Sequence, residues 1–151
     1  MSTRVIALGT GRCSDFGGPF DGGVSPTEGL GLVEVDDLHD DWFARCFLTI
    51  DPDIKPPVGL ARRLNPQALY CAMRWNFTGL DSKGGVLFGF SREQIRRGIF
   101  RVLAANGRSV FVQAVDDGPN EHTGRLIDLS PEALAKLQIG TDDLVTVEFI
   151  S

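Results

Sequence analysis

Lysine is nearly missing from this chain. Three lysines stand among 151 residues, beside 12 arginines, 14 aspartates and 6 glutamates, and the formal net charge is −5. Affinity for nucleic acid comes mainly from Lys and Arg neutralising phosphates, so this balance argues against a nucleic-acid partner. The two basic pairs, Arg62-Arg63 and Arg96-Arg97, are isolated and read as solvated surface. Histidine is almost as scarce, with only His39 and His122. The three cysteines, Cys13, Cys46 and Cys71, are widely spaced with no Cys-x-x-Cys, so no zinc signature is present and neither metal nor cofactor is expected. Cys46 and Cys71 lie in apolar runs, as buried thiols do. Ser25 and Ser109 have no histidine at a spacing that suggests a triad. Long hydrophobic runs are absent too. No stretch approaches the ~20 apolar residues of a membrane helix, so no membrane insertion is expected. Val5 to Leu8 is too short for a secretory core, which implies synthesis in the cytoplasm without a signal peptide.

What is plentiful is glycine, 18 residues, with 8 prolines and 42% hydrophobic residues. That mixture suits short strands and tight turns better than a helical bundle. A chain of this length buries roughly 70% of its unfolded surface, enough for one domain over residues 1–151.

Strand patterns appear at 3–8, 42–50, 68–77, 85–90, 99–104, 109–116, 125–130 and 144–150. Residues 60–66 read as a connection. The glycine-rich stretch 9–31 has neither helical nor strand periodicity and reads as an ordered loop. Asn106-Gly107 is a strong hairpin signal. Ser91 precedes a short helix, REQIRR. Ser130 as N-cap, Pro131 at the first helical position and Gly140 as a stop bracket a second helix near 131–138. The acidic run 36–41 lacks the spaced ligands and glycine of a calcium loop and reads as a solvated turn. Gly9-x-Gly11 lacks the rest of a dinucleotide fingerprint. The pattern is mainly β, a closed barrel of short strands with short helices and inserted loops.

Residues 99–150 carry more. NGRSVFVQAVDDGP, then GRLIDLSPEAL, then a terminal VTVEF strand form an ordered series. It resembles the second half of the double-psi β-barrel domain of the rare lipoprotein A family, which is similar to expansins and to certain β-barrel endoglucanases. The resemblance implies a six-stranded double-psi β-barrel and places Asp116 at the Asp of Asp-x-Gly-Pro, before Gly118 and Pro119. In the family this carboxylate faces a polysaccharide groove as the expected catalytic acid. A partly desolvated carboxyl holds its proton to higher pH and can protonate a glycosidic oxygen. Asp128, in RLIDLS, matches a family position expected to be structural, and Gly118 and Pro119 share that supporting role. Arg125 either positions substrate or pairs with Asp116 or Asp128.

SDFGGPFDGGVSPTEGLG (14–31) resembles the family's opening more loosely. There Glu28 is the second groove carboxylate, with Asp15 and Asp21 as rivals. In the middle the chain departs from the family: Arg62 or Arg63 stands where a histidine is expected, and residues 77–98 read as an insertion. Trp42 and Trp75 are candidates for stacking on sugar rings. His122-Thr123-Gly124 does not fit the aspartic-protease pattern.

The resemblance therefore implies a peptidoglycan-directed domain that cleaves glycan by hydrolysis or lytic transglycosylation, with Asp116 as general acid. A barrel that binds wall polysaccharide without cutting it, and one that contacts another protein, remain open beside it. A leaderless version needs another route to the wall. Phage lysis, a tail or a contractile injection apparatus supplies one, with phage or secretion-apparatus proteins as partners.

Overall fold

Strict alternation of apolar and polar side chains builds the clearest strands, because successive residues of a strand point to opposite faces. The computed structural model describes residues 4–17, 45–50, 62–73, 92–116, 118–119 and 123–150. Eight strands are formed among them: β1 (Val5–Asp15), β2 (Phe47–Ile50), β3 (Arg62–Leu64), β4 (Tyr70–Ala72), β5 (Ile99–Ala104), β6 (Ser109–Asp116), β7 (Arg125–Leu129) and β8 (Leu144–Ile150). Two helices accompany them, α1 (Arg92–Arg97) and α2 (Pro131–Leu137).

Six strands close a barrel in the order β1-β7-β4-β6-β5-β8. Two seams are parallel, β1 with β7 and β4 with β6, and the other four are antiparallel. Exchanging the triplet β1, β4, β5 for the triplet β6, β7, β8 maps every pairing onto one of the same sense. This internal two-fold relation is that of a double-psi barrel, as the sequence led us to expect. The helices obey it as well: α1 precedes β5 as α2 precedes β8. Part of the stretch expected to be an insertion thus forms α1, and residues 77–91 lie outside the described residues.

The barrel is filled by the inward rows of β5 (Phe100, Val102, Ala104) and β8 (Val145, Val147, Phe149), which meet Val110, Val112, Ala114, Ile127 and Leu129. Phe100 and Phe149 pack at 5.1 Å between ring centroids, and full burial of such a side chain stabilises by about 1.5–3 kcal/mol. Gly98 lies against the Phe149 ring, so closely that a Cβ there would overlap it. The apolar face of α2 (Ala133, Leu134, Leu137) joins the same core.

Local signals account for the turns. Gly107 takes φ +90° at the tip joining β5 to β6. Ser130 caps α2, its Oγ accepting from the Ala133 N–H at 3.2 Å and from the Tyr70 N–H at 3.3 Å, and Pro131 follows at the start. The helix stops earlier than expected. Gln138, not Gly140, takes the left-handed conformation (φ 55°), and Gly140 instead donates its N–H to the Asp143 carboxylate at 2.8 Å.

Three further expectations are corrected. β1 does not end at Leu8 before a loop but runs on to Asp15, because a bulge between Ala7 and Gly9 (φ +113°) resets its register on β8 and β7 then takes over the pairing. The connection at 60–66 contains β3, which pairs with β2 in a separate two-stranded sheet. Within the described parts of 42–50 and 68–77 the strands cover only Phe47–Ile50 and Tyr70–Ala72, and residues 42–44 and 74–77 lie outside the described residues. A second apolar cluster of Phe16, Cys46, Leu64, Tyr70, Ala72 and Val115 lies on the other side of the β4–β6 seam from the main core. There the Tyr70 hydroxyl donates to the Phe16 carbonyl at 2.7 Å, and the two rings pack edge to face at 5.6 Å. The strand expected at 85–90 lies outside the described residues.

Candidate functional site

The break in alternation along β6, at Gln113-Ala114-Val115, has a structural cause. Tyr70 and Cys71 of β4 pair with Gln113 and Ala114, but Ala72 pairs with Asp116, so Val115 is an extra residue in a bulge. Residues opposite one another share a face of the sheet. The bulge therefore moves Asp116 from the core side to the side occupied by Ala72. On the other flank of β4, Ala72 pairs with Asp128, and Asp128 pairs in turn with Ser14 of β1. One row thus crosses four strands: Asp116, Ala72, Asp128, Ser14. Two strand spacings put the Asp116 and Asp128 backbones about 10 Å apart.

Ala72 and Ser14 are buried in this row, while Asp116 and Asp128 are half-buried. The Met73 N–H donates to the Asp116 carbonyl at 3.1 Å, which holds the strand end in place. Gly118 (φ +150°) lies over the row. A Cβ there would stand 3.4 Å from Asp128 Oδ2 and 3.7 Å from the Ala72 methyl. Pro119 follows, buried, through a cis peptide bond.

Next to the row is a charged cluster. Arg125 does not pair with Asp116 or Asp128 as expected but grips Asp142 with two hydrogen bonds, Nε to Oδ1 at 2.9 Å and Nη2 to Oδ2 at 3.3 Å. The physical reason is position. Arg125 begins β7, three residues before Asp128, and the left-handed turn at Asp142 (φ 70°) brings that carboxylate within reach. The hydrogen bond to Asp142 raises the Arg125 pKa and lowers that of Asp142. The charges of Asp142, Asp128 and Asp15 act on Arg125 in the same direction. Asp15 is exposed and accepts from the Thr141 hydroxyl at 3.3 Å. Arg12 lies 4.0 Å from Asp142 and donates to the Thr123 carbonyl at 3.1 Å.

The cysteines beside this region are buried and unbonded to one another. Burial pushes Cys71 well above its ordinary pKa, and the Asp128 charge adds to the effect. Burial likewise raises Cys13 to about 11, with Asp143 contributing.

Of the expected site residues, the fold brings together Asp116, Asp128, Gly118 and Pro119, and sets Asp15 and Arg125 beside them. Arg63 lies in β3, with its side chain outside the described residues. Glu28, Asp21, Trp42 and Trp75 also fall outside them. Sequence reasoning missed Ala72, Ser14, Val115 and Asp142. The interrupted alternation was a usable sign of the Val115 bulge. Nothing local singled out Ala72 or Ser14, which owe their places to pairing across the barrel.

No family model and no curated protein matches the chain. Among solved structures it is similar to the Streptomyces papain inhibitor, at 15% identity and a TM-score of 0.45, over 98% of this chain and 96% of that one. No helix among the described residues is long and apolar enough to cross a membrane.

Proposed function

We propose that this barrel is directed at wall glycan of the peptidoglycan type and cleaves it with Asp116 as general acid. The observation that carries the reading is the Val115 bulge, which brings Asp116 onto the same face as Asp128 with only Ala72 between them. Half-burial suits an acid of this kind, since partial desolvation favours the protonated form while leaving the group within reach of a glycosidic oxygen. In this reading Asp128, which the family resemblance made structural, serves as the second carboxylate in place of Glu28, which lies outside the described residues, and stabilises the positive charge that develops on the sugar ring. A backbone separation of about 10 Å leaves room for a bond between the two acids. The ordered series NGRSVFVQAVDDGP and GRLIDLSPEAL, with its resemblance to the rare lipoprotein A family, supplies the substrate class.

The test is release of soluble muropeptides from purified sacculi. Wild type is expected to release them, and Asp116→Asn to abolish release with a Tm within about 2 °C of wild type. Wild-type protein inert on both intact and peptide-stripped sacculi overturns the reading.

One observation favours a second reading, a barrel that binds but does not cut. The Gly118–Pro119 turn lies over Ala72 between the two carboxylates, as it would if both acids served to hold that turn. On this reading Asp116→Ala lowers Tm by several degrees, and the wild type binds insoluble glycan without product.

A further inference from the structure

A pocket of about 440 Å³ opens beside β3 and the start of β4, lined by Arg45, Cys46, Asn65, Gln67, Ala68 and Leu69. It lies at the opposite end of β4 from Ala72, and its volume is within the range of about 300–1,000 Å³ that small-molecule sites occupy. Its wall is fixed by hydrogen bonds. The Asn65 N–H donates to the Cys46 carbonyl at 2.7 Å, and Asn65 Nδ2 to the Arg45 carbonyl at 3.2 Å. Asn65 Oδ1 accepts from the Gln67 N–H at 3.0 Å, and the Asn65 carbonyl accepts from the Ala68 N–H at 3.0 Å. The Asn65 amide is thereby committed to joining two segments about twenty residues apart.

The apolar lining is small: Cys46 is buried, and Ala68 and Leu69 are half-buried. Among the described residues its polar lining includes two exposed side chains, Arg45 and Gln67. No carboxylate among the described residues pairs with Arg45. A cation and an amide beside a short aliphatic wall, on a preformed frame, fit a ligand with one carboxylate, one peptide group and a small alkyl side chain. We propose that this pocket binds the carboxy-terminal end of a peptide with small aliphatic side chains. Arg45 takes the carboxylate, Gln67 the peptide group, and Ala68 with Leu69 the alkyl group. The assignment is independent of the glycan reading and uses none of its residues.

Titration of the isotope-labelled full chain with N-acetyl-alanyl-alanine, followed by amide NMR shifts, tests it. Shifts are expected at Cys46, Asn65 and Gln67 to Leu69, and the carboxamide form of the same peptide should bind roughly tenfold more weakly, because it loses the charge-assisted contact. Arg45→Gln should remove the preference for the free acid, and Gln67→Ala should weaken both forms about equally. Both residues are exposed, so Tm should be unchanged in either variant. Absence of shifts at about 10 mM peptide overturns the proposal, since even a weak fragment is seen there. Equal binding of acid and carboxamide also overturns it. Hexanoate binding more tightly than the peptide would make the pocket a fatty-acyl site and likewise refute the peptide assignment.

Discussion

The two triplets of barrel strands share one topology but differ in what joins them. In the second, β6 passes to β7 through residues 117–124, and the turn at 138–143 carries α2 into β8. In the first, β1 reaches β4 only after residues 16–69, which include the β2–β3 pair, the Phe16, Cys46 and Leu64 side of the second apolar cluster and the pocket beside Arg45. The pseudo-symmetry therefore fixes the barrel, while the unequal connections determine what lies outside it. The short connection crosses the row of Asp116 and Asp128; the long one carries an additional layer.

The largest expected effect breaks both triplets at once. Phe149 lies on the β5–β8 seam, which the exchange of triplets maps onto itself, and Phe149→Ala should destabilise by about 3–5 kcal/mol in denaturant unfolding. Gly98→Ala tests the same seam from the side of the first triplet. The new methyl would overlap the Phe149 ring, for an expected loss of about 1–3 kcal/mol. Ser130→Ala removes the cap of α2 together with the bond to Tyr70, a link between the triplets, and should cost about 1–2 kcal/mol.

Smaller effects concern pH. Asp142 has a lowered pKa in the folded protein, so its contribution is present above the ordinary carboxylate pKa of 3.8 and is lost as pH falls through the lowered value. The Tm difference between wild type and Asp142→Asn should therefore be small at pH 7, shrink with added salt, and vanish at strongly acid pH. Cys13 has the opposite sign. Its folded pKa of about 11 lies above the ordinary 9.0, so stability should decline as pH rises between those values, and Cys13→Ala should flatten that decline.

The sequence was most legible where structure is local. Alternation marked β8, Asn106-Gly107 marked the hairpin of β5 and β6, and Ser130-Pro131 marked the start of α2. These signals depend on neighbours along the chain. It was least legible where a partner strand decides. Glycine at positions 9 and 11 suggested a loop, yet β1 continues because β8 and then β7 pair with it through bulges. Arg125 was expected to position substrate or to pair with Asp116 or Asp128, and only the fold of the turn at 138–143 reveals Asp142 as its ion-pair partner. Asp116 itself was singled out as a candidate by the Asp-x-Gly-Pro series. The bulge that turns it onto the face of Asp128 showed in the sequence only as lost alternation.

The most direct test of the glycan reading is muropeptide release by wild type, Asp116→Asn and Asp128→Asn, measured on the same sacculi with Tm recorded for each protein. The account predicts release by wild type and its loss in both variants at nearly unchanged Tm. Full release by Asp116→Asn, or a collapse of Tm with no wild-type product, would contradict it.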